Sequence, residues 1–274
     1  ISGLKKDATD RNRTSPFAFT GNKFEFRMVA SSMSIADANT VLNTIVADVL
    51  KEMADELEKA KDFDLAVHDL IKDTLREHQR IIFNGNGYCD EWVKEAKRRG
   101  LPDITSMVDA IPAITTDKAI ALFERHHVYS STELYSRREI QYETYSKAIN
   151  IEAKTMIDMA SKRFIPSVIK YTTILASSIN EVKAAVPHGD ITVQTNLLEK
   201  TSELLVKAEK ALHKLQKVDE IGETKVEGEE RARYYKDIII PAMEALRKPI
   251  DELELIVDKE LWPVPTYGEI LFEI

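Results

Sequence analysis

Leu197, Thr201, Leu204, Ala208, Ala211, Leu215 and Val218 recur at alternating steps of four and three residues. Side chains of a strand alternate with a period of two and cannot share a face at that spacing, whereas those of an α-helix can. Held over about three heptads, the pattern is the seam of two helices packed along each other. The partner is either another helix of this chain or a second subunit. The hairpin within the chain is favoured, because a further helix follows at once. Only nine glycines and nine prolines interrupt 274 residues, so elements are long and turns few. The expected fold is mainly α.

The remaining helices follow the same logic. Ser34 or Asp37 caps a helix running to about residue 60, with Val41, Ile45, Val49, Met53 and Leu57 as its apolar stripe. A second carries Phe63, Val67, Leu70 and Ile71, and Asn84-Gly85-Asn86-Gly87 makes a turn. Asp90 caps a short helix that ends at Gly100, and Pro102 and Pro112 break the chain around a helix with Ala119, Leu122 and Phe123. From about residue 133 a long helix carries Tyr142, Tyr145, Ile149, Met156 and Ala160, with a kink expected at Pro166. A last helix carries Ile238, Ala242, Ala245, Leu253 and Ile256, bent by Pro241 and Pro249. Residues 219–230, rich in Glu and Gly, read as an exposed turn, and Trp262-Pro263-Val264-Pro265-Thr266-Tyr267 as an extended segment that docks on the fold.

Residues 10–29 depart from the helical pattern. Phe17 and Phe19 alternate, Thr20-Gly21-Asn22 supplies turn chemistry, and Phe24, Phe26 and Met28 resume the period of two. That is one short β-hairpin. The opposite face of its second strand carries Lys23, Glu25 and Arg27, with Arg11-Asn12-Arg13 just upstream. A carboxylate between two cations on a strand stays ionised and suits a hard metal such as Mg²⁺ or Mn²⁺. Guanidinium groups around it suit a carboxylate or phosphate. The same pattern also describes a half-exposed strand whose charges compensate one another.

Several classes are excluded. No apolar run approaches the length of a membrane span, so no membrane role is expected. Asp plus Glu outnumber Lys plus Arg by 46 to 38, a net charge of −8, and no long basic patch offers a nucleic-acid surface. The single cysteine, Cys89, rules out an internal disulfide and a Cys-rich zinc site and suits a reducing compartment, the cytoplasm. It has no basic neighbour and reads as an inert thiol. Adjacent His126 and His127 cannot both face one ligand on a helix and suit a helix end or the surface. The Asn84–Gly87 run lacks the setting of a phosphate-binding loop. The chain opens at Ile1 directly before a dense polar motif, and we expect it to be a piece of a longer polypeptide.

The run Asp10-Arg11-Asn12-Arg13-Thr14-Ser15-Pro16-Phe17-Ala18-Phe19-Thr20-Gly21-Asn22-Lys23-Phe24-Glu25-Phe26-Arg27 resembles the glutamine synthetase family, in particular its large type III members. Ser34-Ile35-Ala36-Asp37-Ala38-Asn39 resembles the family's Asp-Pro-Asn stretch, with Ala38 in the proline's place. Ile82–Tyr88, Met156–Ala160 and Leu261–Gly268 are also similar to type III sequences, so the resemblance covers essentially the whole chain. Two departures stand out: Ala18 occupies the place of an arginine in an Arg-x-Pro of shorter members, and His127 that of a glycine.

The resemblance implies ATP-dependent ligation of ammonia to L-glutamate through γ-glutamyl phosphate. It places a metal ligand (Mg²⁺ or Mn²⁺) at Glu25, a contact to glutamate or its phosphorylated intermediate at Arg27, and contacts to the transferring phosphate at Arg13 and, by charge, Lys23. It makes residues 1–145 the end of a catalytic domain of α+β type, the hairpin belonging to its sheet, and residues 146–274 a helical bundle extension. It also implies a homo-oligomer, a dodecamer of two hexameric rings. Because the other metal ligands, the ATP segment and the ammonium site would lie upstream of Ile1, this chain alone is expected to be inactive. The alternative that the residues leave open is a non-enzymatic helical scaffold or oligomerisation module.

Overall fold

The computed structural model describes residues 17–19, 24–26, 33–83, 86–87, 89–265 and 267–272. Two strands, β1 (Phe17–Phe19) and β2 (Phe24–Phe26), pair antiparallel with Phe17 opposite Phe26, Ala18 opposite Glu25 and Phe19 opposite Phe24. All other regular structure is helical: α1 Ala36–Leu57, α2 Phe63–Glu77, α3 Asp90–Arg98, α4 Met107–Ala110, α5 Asp117–Arg125, α6 Ser131–Met159, α7 Ile165–Ala185, α8 Thr192–Glu223, α9 Glu229–Tyr234, α10 Ile240–Glu254 and α11 Tyr267–Phe272. The fold is thus mainly α, one short β-hairpin followed by long helices, as the residue pattern predicts. The chain divides into two units, Ile1–Tyr135 and Ser136–Ile274.

In the first unit short polar side chains start the helices. Asp62 accepts from the Leu65 amide before α2, Ser106 from Asp109 before α4 and Thr116 from Ala119 before α5. Each satisfies an amide that the first turn leaves unpaired. Ser34 accepts from the Ala36 amide at the start of α1, while α3 begins at Asp90 itself with Cys89 at the cap. Gly100 closes α3 in the left-handed region, with the Leu101 amide bonded back to Ala96. The expected stripe of α1 is only partly its inward face: Val41, Met53 and Leu57 are half-buried, Ile45 and Val49 stay about two-fifths exposed (43% and 42%), and Thr44 is the residue of α1 that is buried.

The second unit holds the larger core. Helices α7 and α10 both pack along α8, whose buried face runs Thr201, Leu204, Ala208, Leu212, Leu215, Asp219 and Gly222. This is the predicted seam, with its partners inside the chain and its C-terminal half turned by one residue: Leu212 and Asp219 are buried where Ala211 and Val218 were expected. On the last helix the same shift replaces Ile238 and Ala245 by Ile239 and Leu246, while Ala242 and Leu253 are buried as predicted. Residues 219–230 are not one exposed turn. Helix α8 continues to Glu223 and buries Asp219 and Gly222, so the turn shrinks to the residues before Gly228. Gly228 caps α9 at φ 92°, where a Cβ would lie 2.8 Å from Glu139 Oε2.

Ala160–Phe164 and Tyr235–Ile239 are wide π-turns, each followed by an Ile-Pro pair, Ile165-Pro166 and Ile240-Pro241. Proline has no amide to continue the α ladder and its ring crowds the carbonyl four residues back. Widening the preceding turn relieves that crowding, and the amides of Ile165 and Ile240 bond five residues back to Ala160 and Tyr235. The Trp-Pro-x-Pro segment docks as expected: Trp262 is buried and packs on Phe164 of the first π-turn at 5.1 Å between ring centroids.

Candidate functional site

Of the four residues singled out by the polar strand, the described structure contains Glu25. It sits at the centre of β2, cross-strand from Ala18, and is half-buried. Arg13, Lys23 and Arg27 lie outside the described residues, as do Asn84 and Gly85 of the turn. One strand-borne carboxylate supplies one oxygen ligand, and Mg²⁺ or Mn²⁺ needs a near-octahedral set. Among the described residues no group of three or more His, Cys, Asp or Glu stands together as a metal site. The described residues therefore do not by themselves complete a metal centre.

Other polar clusters are well defined, and several join residues that lie far apart in sequence, which residue spacing alone did not expose. Asp48, midway along α1, receives Arg125 Nη2 at 2.6 Å on one oxygen and faces His126 Nε2 at 2.8 Å on the other. The His126 contact, then Arg125, holds the Asp48 carboxyl below the ordinary carboxylate range. This joins α1 to the end of α5, where His127 takes φ 54° while its amide bonds to Glu124 and that of Val128 to Phe123. Both histidines therefore serve a helix end. On α3, Arg98 and Arg99 grip Glu95 at 2.6–2.7 Å and hold its carboxyl down at about 2. Arg99 also donates to the carbonyls of Arg80 and Ile82 and lies over Trp92, which stacks on Phe83 at 4.1 Å. The Cys89 thiol donates to the Asn86 carbonyl.

In the second unit Glu229 is held by Arg233 at 2.8 Å and Arg138 at 2.8 Å, which keeps its carboxyl low. Lys154 of α6 pairs with Glu223 of α8. Beside these lies a cavity of ≈ 40 Å³ lined by Glu143, Ser146, Lys147, Asn150, Glu227, Gly228, Arg231 and Tyr235. None of these clusters pairs a nucleophile with a base. They are ion pairs and hydrogen bonds that fix helices against one another.

Residues 66–183 match the family described as "Glutamine synthetase C-terminal domain". Over 98% of its length the chain is 40% identical to the type-3 glutamine synthetase of Dictyostelium discoideum, covering 38% of that protein. It is 37% identical to a glutamine synthetase of Butyrivibrio fibrisolvens over 98% of the chain and 39% of the relative. With one from Bacteroides fragilis (strain YCH46) the identity is 31%, over 99% of the chain and 38% of the relative. The chain thus spans about two-fifths of the length of the curated relatives it matches.

Proposed function

The chain belongs to the glutamine synthetase family, and we propose that it supplies part of an active site that ligates ammonia to L-glutamate with ATP, through γ-glutamyl phosphate. The observation that carries this reading is Glu25, a carboxylate fixed at the centre of a paired strand and half-buried there. In the proposal Glu25 gives one oxygen to Mg²⁺ or Mn²⁺, Arg27 holds the glutamate carboxylate, and Arg13 and Lys23 neutralise the transferring phosphate. Phosphoryl transfer needs positioning and charge neutralisation more than covalent help, so a carboxylate held on a strand and flanked in sequence by cations suits it. The metal, when bound, spreads the charge that builds on the phosphate oxygens.

The same reading makes residues 1–145 the end of the catalytic domain and residues 146–274 its helical extension, working in a cytoplasmic homo-oligomer. In the proposal the remaining ligands come from outside the described residues, in keeping with a chain that spans about two-fifths of its relatives' length. Glutamate- and ammonia-dependent phosphate release from ATP by this chain alone tests the point. The expected result is no release above background; release at an enzyme's rate would overturn the partition of the site.

A further inference from the structure

Asp219 is the buried acid of the second unit, 5% exposed on the core-facing side of α8. One turn on, the Cβ position of Gly222 lies 3.4 Å from the Tyr235 hydroxyl, so α8 and the second π-turn approach closely here. Three oxygens in this neighbourhood have no hydrogen-bond partner among the described residues: Asp219 Oδ1, the Tyr235 hydroxyl and Asn150 Oδ1. Asn150 and Tyr235 line the ≈ 40 Å³ cavity, which has room for about two waters.

The charges around this corner do not balance. Lys154 of α6 is engaged by Glu223, Lys147 by Glu143, and Arg231 by Glu227 and by the carbonyls of Lys225 and Glu223. That leaves Asp219 without a cation of its own. The charges acting on its carboxyl are Lys154 from α6 and Glu220 and Glu223 from α8 itself, and α7 and α10 add none among the described residues. On the α9 side stand Arg231, already engaged, and the hydroxyls of Tyr234, which donates to the Val218 carbonyl at 3.1 Å, and Tyr235. An ionised carboxylate at such a position is a buried charge with no cation paired to it.

We propose that Asp219 is carried as a neutral acid in the folded second unit, and that loss of its proton loosens the corner where α8 gives way to α9. Hydrogen-bond capacity supports this independently of charge. Of the three unpartnered oxygens, an ionised Asp219 and the Asn150 oxygen can only accept, which leaves the Tyr235 hydroxyl as one donor for two acceptors; a protonated Asp219 supplies a second donor. Burial pushes the Asp219 carboxyl up, Lys154 opposes the rise, and Glu223 and Glu220 add to it. A group that binds its proton more tightly folded than unfolded contributes stability at low pH, and that contribution is lost as pH rises through its folded-state value.

The test compares thermal unfolding of the 274-residue chain and its Asp219→Asn variant between about pH 4 and pH 8. The near-isosteric amide keeps a donor at every pH, so the variant is expected to gain on wild type as pH rises and to have the higher Tm at the upper end. A gap that does not change with pH, or a variant that melts lower near neutrality, would overturn the proposal. So would a wild-type Tm at the upper pH that potassium or ammonium restores, since the compensating charge would then be a bound cation. Infrared spectra of wild type give a second reading that needs no variant. The carbonyl band of a protonated carboxylic acid is expected to persist above the ordinary carboxylate range, and its loss at that range would overturn the assignment.

Discussion

At the level of single residues, the clearest features are ones that no spacing rule exposes. Asp48 and Arg125 are 77 positions apart in sequence yet 2.6 Å apart in space. Because its neighbours lower the folded-state pKa of Asp48, the unfolded chain binds its proton more readily. The stabilising contribution is therefore present above the unfolded-state value and lost as pH falls through the lower, folded one. Asp48→Asn is expected to flatten that acid limb, read as the Tm difference between about pH 3 and pH 6. His127 was legible as a departure, a side chain where the family resemblance implies a glycine. The structure gives the reason the departure matters: a φ of 54° at the end of α5. His127→Gly relieves a left-handed strain of about 1 kcal/mol and is expected to raise the urea midpoint accordingly. Glu25 was legible for a different reason, as a carboxylate flanked by cations at strand spacing.

At the level of elements, the helices and the hairpin could be read from periodicity and scarce turn residues, but the phase of two faces could not. Ile238, Ile239 and Ile240 are consecutive, so hydrophobicity alone cannot say which of them points inward; the π-turn at Tyr235–Ile239 and its packing on α8 select Ile239. On α8 the choice between Val218 and Asp219 went to the acid, a burial that composition argues against. The prolines were read as kinks because a missing amide does break the ladder. The structure resolves the same defect by widening one turn, which leaves Pro166 near the start of α7 rather than at a break. The seam itself carries the unit. Leu215 is fully buried on α8, and Leu215→Ala is expected to cost about 2–5 kcal/mol in chemical denaturation. A loss within the range of surface substitutions would show that α8 does not hold the core.

At the level of the whole molecule, the resemblance to the glutamine synthetase family was carried by one dense run of residues, and the matched relatives extend that likeness to nearly the full chain. What remained illegible is how a site is completed, because a metal centre is a meeting of segments and this chain spans about two-fifths of its relatives. The proposed role of Glu25 is therefore best measured in the longest natural polypeptide that carries this sequence. Glutamine formation would be titrated with Mg²⁺ for wild type and Glu25→Gln, with oligomer size followed in parallel. The account predicts an intact oligomer whose apparent metal affinity or turnover falls about 100-fold or more; wild-type turnover at the same Mg²⁺ concentration would contradict it.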